Sequence, residues 1–164
     1  MKGKNRDAAA EKIPLPAWRH IPGVNDRHAG DAFDQAKALC PPRVTDAEAS
    51  TNGAWLYGLR LFNAGYYWEA HEVLETVWMR TAPNSRERAL VQALIHLANG
   101  ALKLAANKPG AAKRLARLAG ECVALSHSGG RDRIMGLGAK ELLGVARTLA
   151  GDAPMDVRFG LCAI

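Results

Sequence analysis

The run from Ser85 to Ala106 constrains this chain most, because Leu90, Leu94, Leu97, Ala98, Ala101 and Leu104 recur in it at three- and four-residue intervals. A helix turns by about 100° per residue, so these side chains form one apolar stripe. Ser85 supplies an N-cap hydroxyl, and Asn107-Lys-Pro-Gly110 ends the run. A long amphipathic helix is predicted, and its stripe has to be covered by other apolar surfaces.

Those surfaces come as further helices punctuated by Pro and Gly. Thr45-Asp-Ala-Glu48 fits a capping box and predicts a helix running to about Asn63, with Gly65 supplying a left-handed C-terminal turn. A second helix is predicted from about Tyr67 to Arg80, ended by Pro83-Asn-Ser85. Pro109 suits the first turn of a helix reaching about Leu125, and after a glycine-rich, basic stretch over 126–138 another is predicted from Ala139 to Ala150. Upstream, Pro14, Pro16, Pro22 and Gly23 exclude a continuous helix between Lys12 and Ala29, which reads as an arm. A short helix from about Asp31 to Leu39 follows the arm and stops at Pro41-Pro42.

Two of the joints resemble each other. Gly58 to Ala70 aligns without gaps to Gly100 to Ala112, a shift of 42 residues, and each is a helix, a tight turn and a helix. Neither hairpin alone buries its apolar face, so stacking the two makes one core, as in a tetratricopeptide-like pair. The expectation is an all-α fold, a compact bundle of about five to six helices with two stacked helix-turn-helix hairpins. It divides into a tail and Pro-rich arm over 1–44, a helical domain over 45–150 and a C-terminal tail over 151–164.

Composition agrees: of 164 residues 48% are hydrophobic and 6% aromatic, and almost no run alternates Val, Ile or Thr with period two. No apolar stretch approaches the roughly 18 residues needed to span a bilayer. Met1 to Lys12 lacks an apolar core and reads as a frayed tail rather than a secretory signal, which places the chain in the cytoplasm. Cys40, Cys122 and Cys162 are odd in number and far apart, which argues against a disulfide framework and a zinc ribbon. Residues 1–100 carry 12 Lys/Arg against 11 Asp/Glu, and residues 101–164 carry 10 against 5, so most of the net charge of +6 lies in the last third. These cations lack interleaved aromatics for base stacking, which argues against nucleic acid as a partner. A small polar ligand, a protein partner or a second copy of the chain remain compatible.

The chemistry-bearing stretch is WEAHEVLETVW between Trp68 and Trp78. On a helix His71 and Glu75 lie about 40° apart, with Leu74 and Trp78 on the same side. Glu72 is close enough to join them, and Glu69 lies well round the helix. An imidazole and a carboxylate one turn apart suit a divalent metal such as Zn, Mn or Fe, with Glu72 as third ligand or base. The zinc-protease pattern H-E-x-x-H is not met, because Glu75 stands where its second His belongs. Gln92 and His96 lie one turn apart on the long helix, and His96 facing His71 and Glu75 would complete a two-His, one-carboxylate set. The same residues read equally as a polar network fixing helix register, or as a solvated face. The second hairpin places Lys113, Arg114 and Arg117 where the first has His71, Glu72 and Glu75, which suggests acid-to-base pairing between them. The arm adds His20, Arg27 and His28 around a Pro-Gly turn, a candidate anion-binding lid.

The block Leu61 to Trp78, LFNAGYYWEAHEVLETVW, followed by QALIH over 92–96 and NKPGAAKRL over 107–115, resembles the domain-of-unknown-function 309 family of bacteria and archaea. The resemblance covers roughly residues 50 to 125 and implies an all-helical, intracellular protein without an established activity. The wording used for some relatives points to metal-dependent hydrolysis. By the family pattern the residues that matter are Asn63, Gly65, Tyr67, Glu69, His71, Glu72, Glu75, Trp78 and Gln92, whereas His96 departs from it. Two readings follow. In one, a cleft walled by the Glu69-to-Trp78 helix and the Gln92 helix binds a metal or small polar ligand, with His71, Glu72 and Glu75 as ligands or proton-transfer groups. In the other, the chain is a tetratricopeptide-like interaction module held together by that polar network.

Overall fold

The computed structural model describes residues 9–151. The C-terminal tail after Gly151, Cys162 and the first eight residues lie outside the described residues. The chain is mostly helical: α1 spans Asp34–Ala38, α2 Gly53–Asn63, α3 Tyr67–Met79, α4 Arg86–Ala105, α5 Pro109–Ser126 and α6 Ala139–Ala150. Helices α2 and α3 form one hairpin and α4 and α5 the other, with α3 packed on α4 and α6 laid across α5 and α4. No described helix is long and apolar enough to cross a membrane.

The weak repeat is real at the level of backbone bonds. In the first hairpin Ala64, Gly65 and Tyr66 donate to the carbonyls of Arg60, Phe62 and Leu61, and in the second Ala106, Asn107 and Lys108 donate to Leu102, Leu104 and Lys103, the same bonds displaced by 42 positions. Both turns are Schellman-type ends with a left-handed residue at the same register, Gly65 at φ 82° and Asn107 at φ 55°. Glycine is needed again inside the helices. A Cβ on Gly58 would stand 2.8 Å from Leu74 Cδ2, and one on Gly100 3.0 Å from Leu149 Cδ1, so the missing side chains let neighbouring helices close up. The core joins Trp55, Phe62, Leu74, Leu90, Leu94, Leu97 and Leu142, all essentially without solvent contact.

Three expectations are corrected. Thr45 to Glu48 does not open the helix that runs to Asn63: Asp46–Thr51 is a 3-10 turn without a side-chain cap, and α2 starts only at Gly53, where Asn52 Oδ1 accepts from Trp55 N–H at 3.1 Å. Asn followed by Gly competes poorly for a helix interior, so the chain breaks there and recaps. The side chains of Thr45 and Glu48 bond each other, and Asp46 between them turns to distant partners. Asp46 accepts from the Met135 amide, and Asp46 N–H donates to Glu87 Oε1 at 3.0 Å.

The glycine-rich stretch, over which the sequence predicts no element, is ordered. It holds a two-stranded ribbon, β1 over Arg133–Ile134 and β2 over Leu137–Gly138, turning at Met135 and Gly136 with positive φ at both. Such a primed turn matches strand twist, and the bond from Trp55 Nε1–H to Met135 O at 3.2 Å seats its tip in the core. The first described residues are also not frayed: 9–12 are helical, Ala10 and Ile13 are buried, and Arg60 donates to Ile13 O at 2.7 Å. Finally, acid-to-base pairing between hairpins is not formed among the described residues: Glu72 approaches Lys37 at 3.7 Å and Arg117 pairs with Glu121 on its own helix. The stacking puts α3 against α4, so the basic face of α5 turns outward.

Candidate functional site

Helix α3 distributes its polar residues by angle. Ala70, Val73, Leu74 and Val77 are buried and define the face against α2 and α4. Taking Ala70 as origin, Leu74, Trp78, His71 and Glu75 follow at about 40°, 80°, 100° and 140°. Burial falls in the same order: Leu74 is in the core, Trp78 and His71 are half-buried, and Glu75 is exposed. His71 Nδ1 lies 3.7 Å from Glu72 Oε1, so these two are neighbours on the outer face. Asn63, at the end of α2, is exposed as well. On α4, Gln92 Nε2 and His96 Nε2 are 3.3 Å apart, as their one-turn spacing predicts. Among the described residues no three His, Cys, Asp or Glu are gathered to hold a metal ion, so His71, Glu75 and His96 do not form the expected set. The reason is angular, since the buried face of α3 is made of Ala70, Val73, Leu74 and Val77, and Glu75 lies well round from it.

Glu69 behaves differently. It lies about 100° to the other side of Ala70 and is fully buried. Its Oε1 accepts from His20 N–H at 2.6 Å and from His28 Nε2–H at 2.8 Å, drawing in residues 49 and 41 positions away. The arm is shaped for this by Asn25, whose Oδ1 accepts from Ile21 N–H at 2.9 Å while its Nδ2–H donates to Arg19 O at 2.7 Å. His20 Nδ1 faces the Asp26 carbonyl at 3.2 Å, and a carbonyl only accepts, so that nitrogen carries the proton. Aromatic rings complete the enclosure: Trp18 stacks on His28 at 4.6 Å, Trp68 meets His20 edge-on at 4.8 Å, and Phe33 meets His28 at 5.3 Å. Glu69 Oε2 and His20 Nε2 are buried without a hydrogen-bond partner among the described residues. Arg27 is exposed and stands outside the cluster. The arm therefore closes over a carboxylate, which repels the anions a basic lid would hold.

A cleft of about 530 Å³ lies by Trp78 of α3 and Gln92 of α4, and His71, Glu72 and Glu75 do not line it. Its walls add Arg86, Arg88, Cys122 and Ser128, and no acidic residue lines it. The Arg88 guanidinium lies 3.6 Å over the Trp78 ring and donates to Trp78 O at 3.2 Å, which fixes both side chains. Ser85 Oγ accepts from Arg88 N–H at 3.1 Å and caps α4 at the mouth of the cleft. Burial pushes the Cys122 thiol up, with Glu121 adding to the effect, and burial lowers the basicity of His96. Burial also raises the Tyr67 hydroxyl, with Arg19 opposing it, so this ring acts as a neutral group packed 5.4 Å from Phe62.

Sequence reasoning picked Trp78 and Gln92 but missed Arg86, Arg88, Cys122 and Ser128. A signal was present in Ser85-Arg-Glu-Arg88. Cations in the first turn oppose the helix dipole, so two arginines beside an N-cap are out of place unless something there uses them.

Residues 55–115 match a family model described as Domain of unknown function (DUF309), the family that the EAHE block resembles. Comparison with curated proteins and with solved structures finds no match to either.

Proposed function

We propose, for a chain carrying this domain, that it binds a small anionic ligand in the cleft between Trp78 and Gln92. One observation carries the reading: Arg86, Arg88 and the Gln92 amide surround a single cleft of about 530 Å³ that no acidic side chain lines. That volume falls in the range of small-molecule sites, which combine an apolar wall with a few fixed polar groups. Trp78 provides the wall. Arg88, held on it by stacking and by its backbone bonds, needs no reordering to present its charge. The N-terminal amides of α4 add a positive end to the same mouth. The metal-dependent reading gains no support from residues that are not gathered. The Glu69–His20–His28 cluster fits the network reading, because its bonds fasten the arm to α3. A cytoplasmic setting is part of the proposal, supported by the free thiol of Cys122.

The test is a titration of isotope-labelled protein with inorganic phosphate, pyrophosphate and citrate, with chloride at matched ionic strength as the control. Saturable amide shifts over residues 84–92 and 122–128 are expected for at least one of these anions. Arg86→Gln should weaken that binding by about tenfold. Shifts that fail to saturate, or that gather elsewhere, sink the reading.

A further inference from the structure

The outer surface of α5 and α6 holds a second concavity, independent of the anion cleft. It is an open trough of about 830 Å³ between the two helices. Its floor is made of small residues, Gly110, Ala116 and Gly120 from α5 with Ala146 and Ala150 from α6. Leu143 stands beside Gly120 at 3.9 Å from its Cβ position and remains 37% exposed. On each helix the lining residues recur at three- and four-residue steps, so the trough follows a helix face for about 15 Å.

Charge marks its edges. Lys113, Arg114 and Arg147 border the trough, and none of them has an ion pair among the described residues. Arg117, also on the border, is committed to Glu121. No acidic residue lines the trough. Surface cations normally intersperse with anions, and here they are kept to the two banks of an apolar channel.

We propose that this trough docks an amphipathic helix of a partner protein, with apolar side chains on the small-residue floor and acidic side chains against Lys113, Arg114 and Arg147. The floor sets the shape of the occupant, because Gly and Ala let a third helix approach at ordinary packing distance and Leu143 offers a knob for its grooves. The banks set its charge, because basic side chains on both sides favour acidic ones and reject basic ones. The open top decides against an acyl chain, which would leave half of its surface in water, whereas a helix presents its polar face there.

The experiment uses the full chain and a fluorescent peptide of about four helical turns with Leu and Ala on one face and Glu on the other, read by anisotropy. A charge-reversed peptide with Lys for Glu, and vesicles containing anionic lipid, serve as competing probes. Saturable binding of the acidic peptide is expected, weakened about tenfold by Arg147→Glu and by Leu143→Glu, with the Lys peptide at least about tenfold weaker than the acidic one. Both positions are on the surface, so folding of the variants is checked by circular dichroism and thermal melting. Equal binding of the two peptides, or binding untouched by either substitution, overturns the proposal. So does binding to vesicles alone, or self-association that Leu143→Glu abolishes and the acidic peptide does not displace.

Discussion

Glu69 and Glu75 are carboxylates six positions apart on the same helix, and they live in opposite environments. Glu75 lies about 140° from the centre of the buried face, where none of the described residues covers it. Glu69 lies about 100° away on the other side, close to where a helix face turns to solvent, yet it has no exposure at all. The difference is the arm. Residues 18–28 lie over that flank and supply a backbone N–H, an imidazole N–H and the Trp18 indole, with His28 stacked between Trp18 and Trp68 of α3. One helix therefore has a structural carboxylate and a solvated one, and the motif that contains both does not say which is which.

The comparison can be broken at its strongest point first. Glu69→Ala removes the acceptor for two buried donors and leaves a small void, so a loss of about 2–4 kcal/mol is expected in urea unfolding. Replacing Glu69 and His28 together by Leu should cost less than Glu69→Ala alone, because no buried donor from His28 is left unpaired. A double variant that is worse than the single one would show that the cluster matters for more than fastening the arm.

A smaller effect is expected from His28→Ala, about 1–2 kcal/mol, accompanied by faster hydrogen exchange at the His20 and Ile21 amides. Unchanged exchange there would mean that the Pro-Gly turn, closed by Asn25, holds the arm without Glu69.

Smaller still is the pH response of α4. Burial holds His96 below its ordinary value of 6.5, so the unfolded chain takes up a proton before the folded one as pH falls. The part of stability that depends on His96 is complete above pH 6.5 and declines as pH falls from there towards the lower folded value. His96→Gln should flatten that slope in unfolding measured from pH 7.5 to 5, and a parallel decline in the variant would assign the slope to another group.

The smallest change is expected on the outer face. His71→Ala combined with Glu75→Gln should shift stability by less than about 0.5 kcal/mol, since neither side chain holds a buried partner. A loss comparable to that of Glu69→Ala would erase the distinction between the two faces.

Much of the architecture was legible in the chain because it is written in local chemistry. Ser85 and Pro109 mark helix starts through backbone groups that any helix leaves free, and the spacing of Leu90, Leu94 and Leu97 fixes which side is buried. The repeat of 42 positions survived into equivalent turn bonds at Gly65 and Asn107, because a left-handed residue ends a helix in the same way wherever it stands. Local chemistry also misled. Thr45 and Glu48 carried a helix-start pattern, but Asn52-Gly53 ended that segment early and Asp46 was taken by Met135 and Glu87.

The candidate site divides along the same line. His71, Glu75 and His96 were chosen by spacing within single helices, and spacing of that kind says which residues share a face but not what the face meets. Trp78 and Gln92 do share a cleft, since α3 and α4 pack side by side, and the arginines that give it its charge come from the first turn of α4. By itself the sequence determined most of the helices, the starts at Ser85 and Pro109, the repeated hairpin and the membership of residues in each stripe, because these follow from interactions within about four residues. Only the tertiary structure decided that Glu69 is buried, that Glu75 is not, and that the basic face of α5 borders a trough. Each of those outcomes depends on a segment arriving from some 30 to 50 positions away, and no local pattern encodes where it will land.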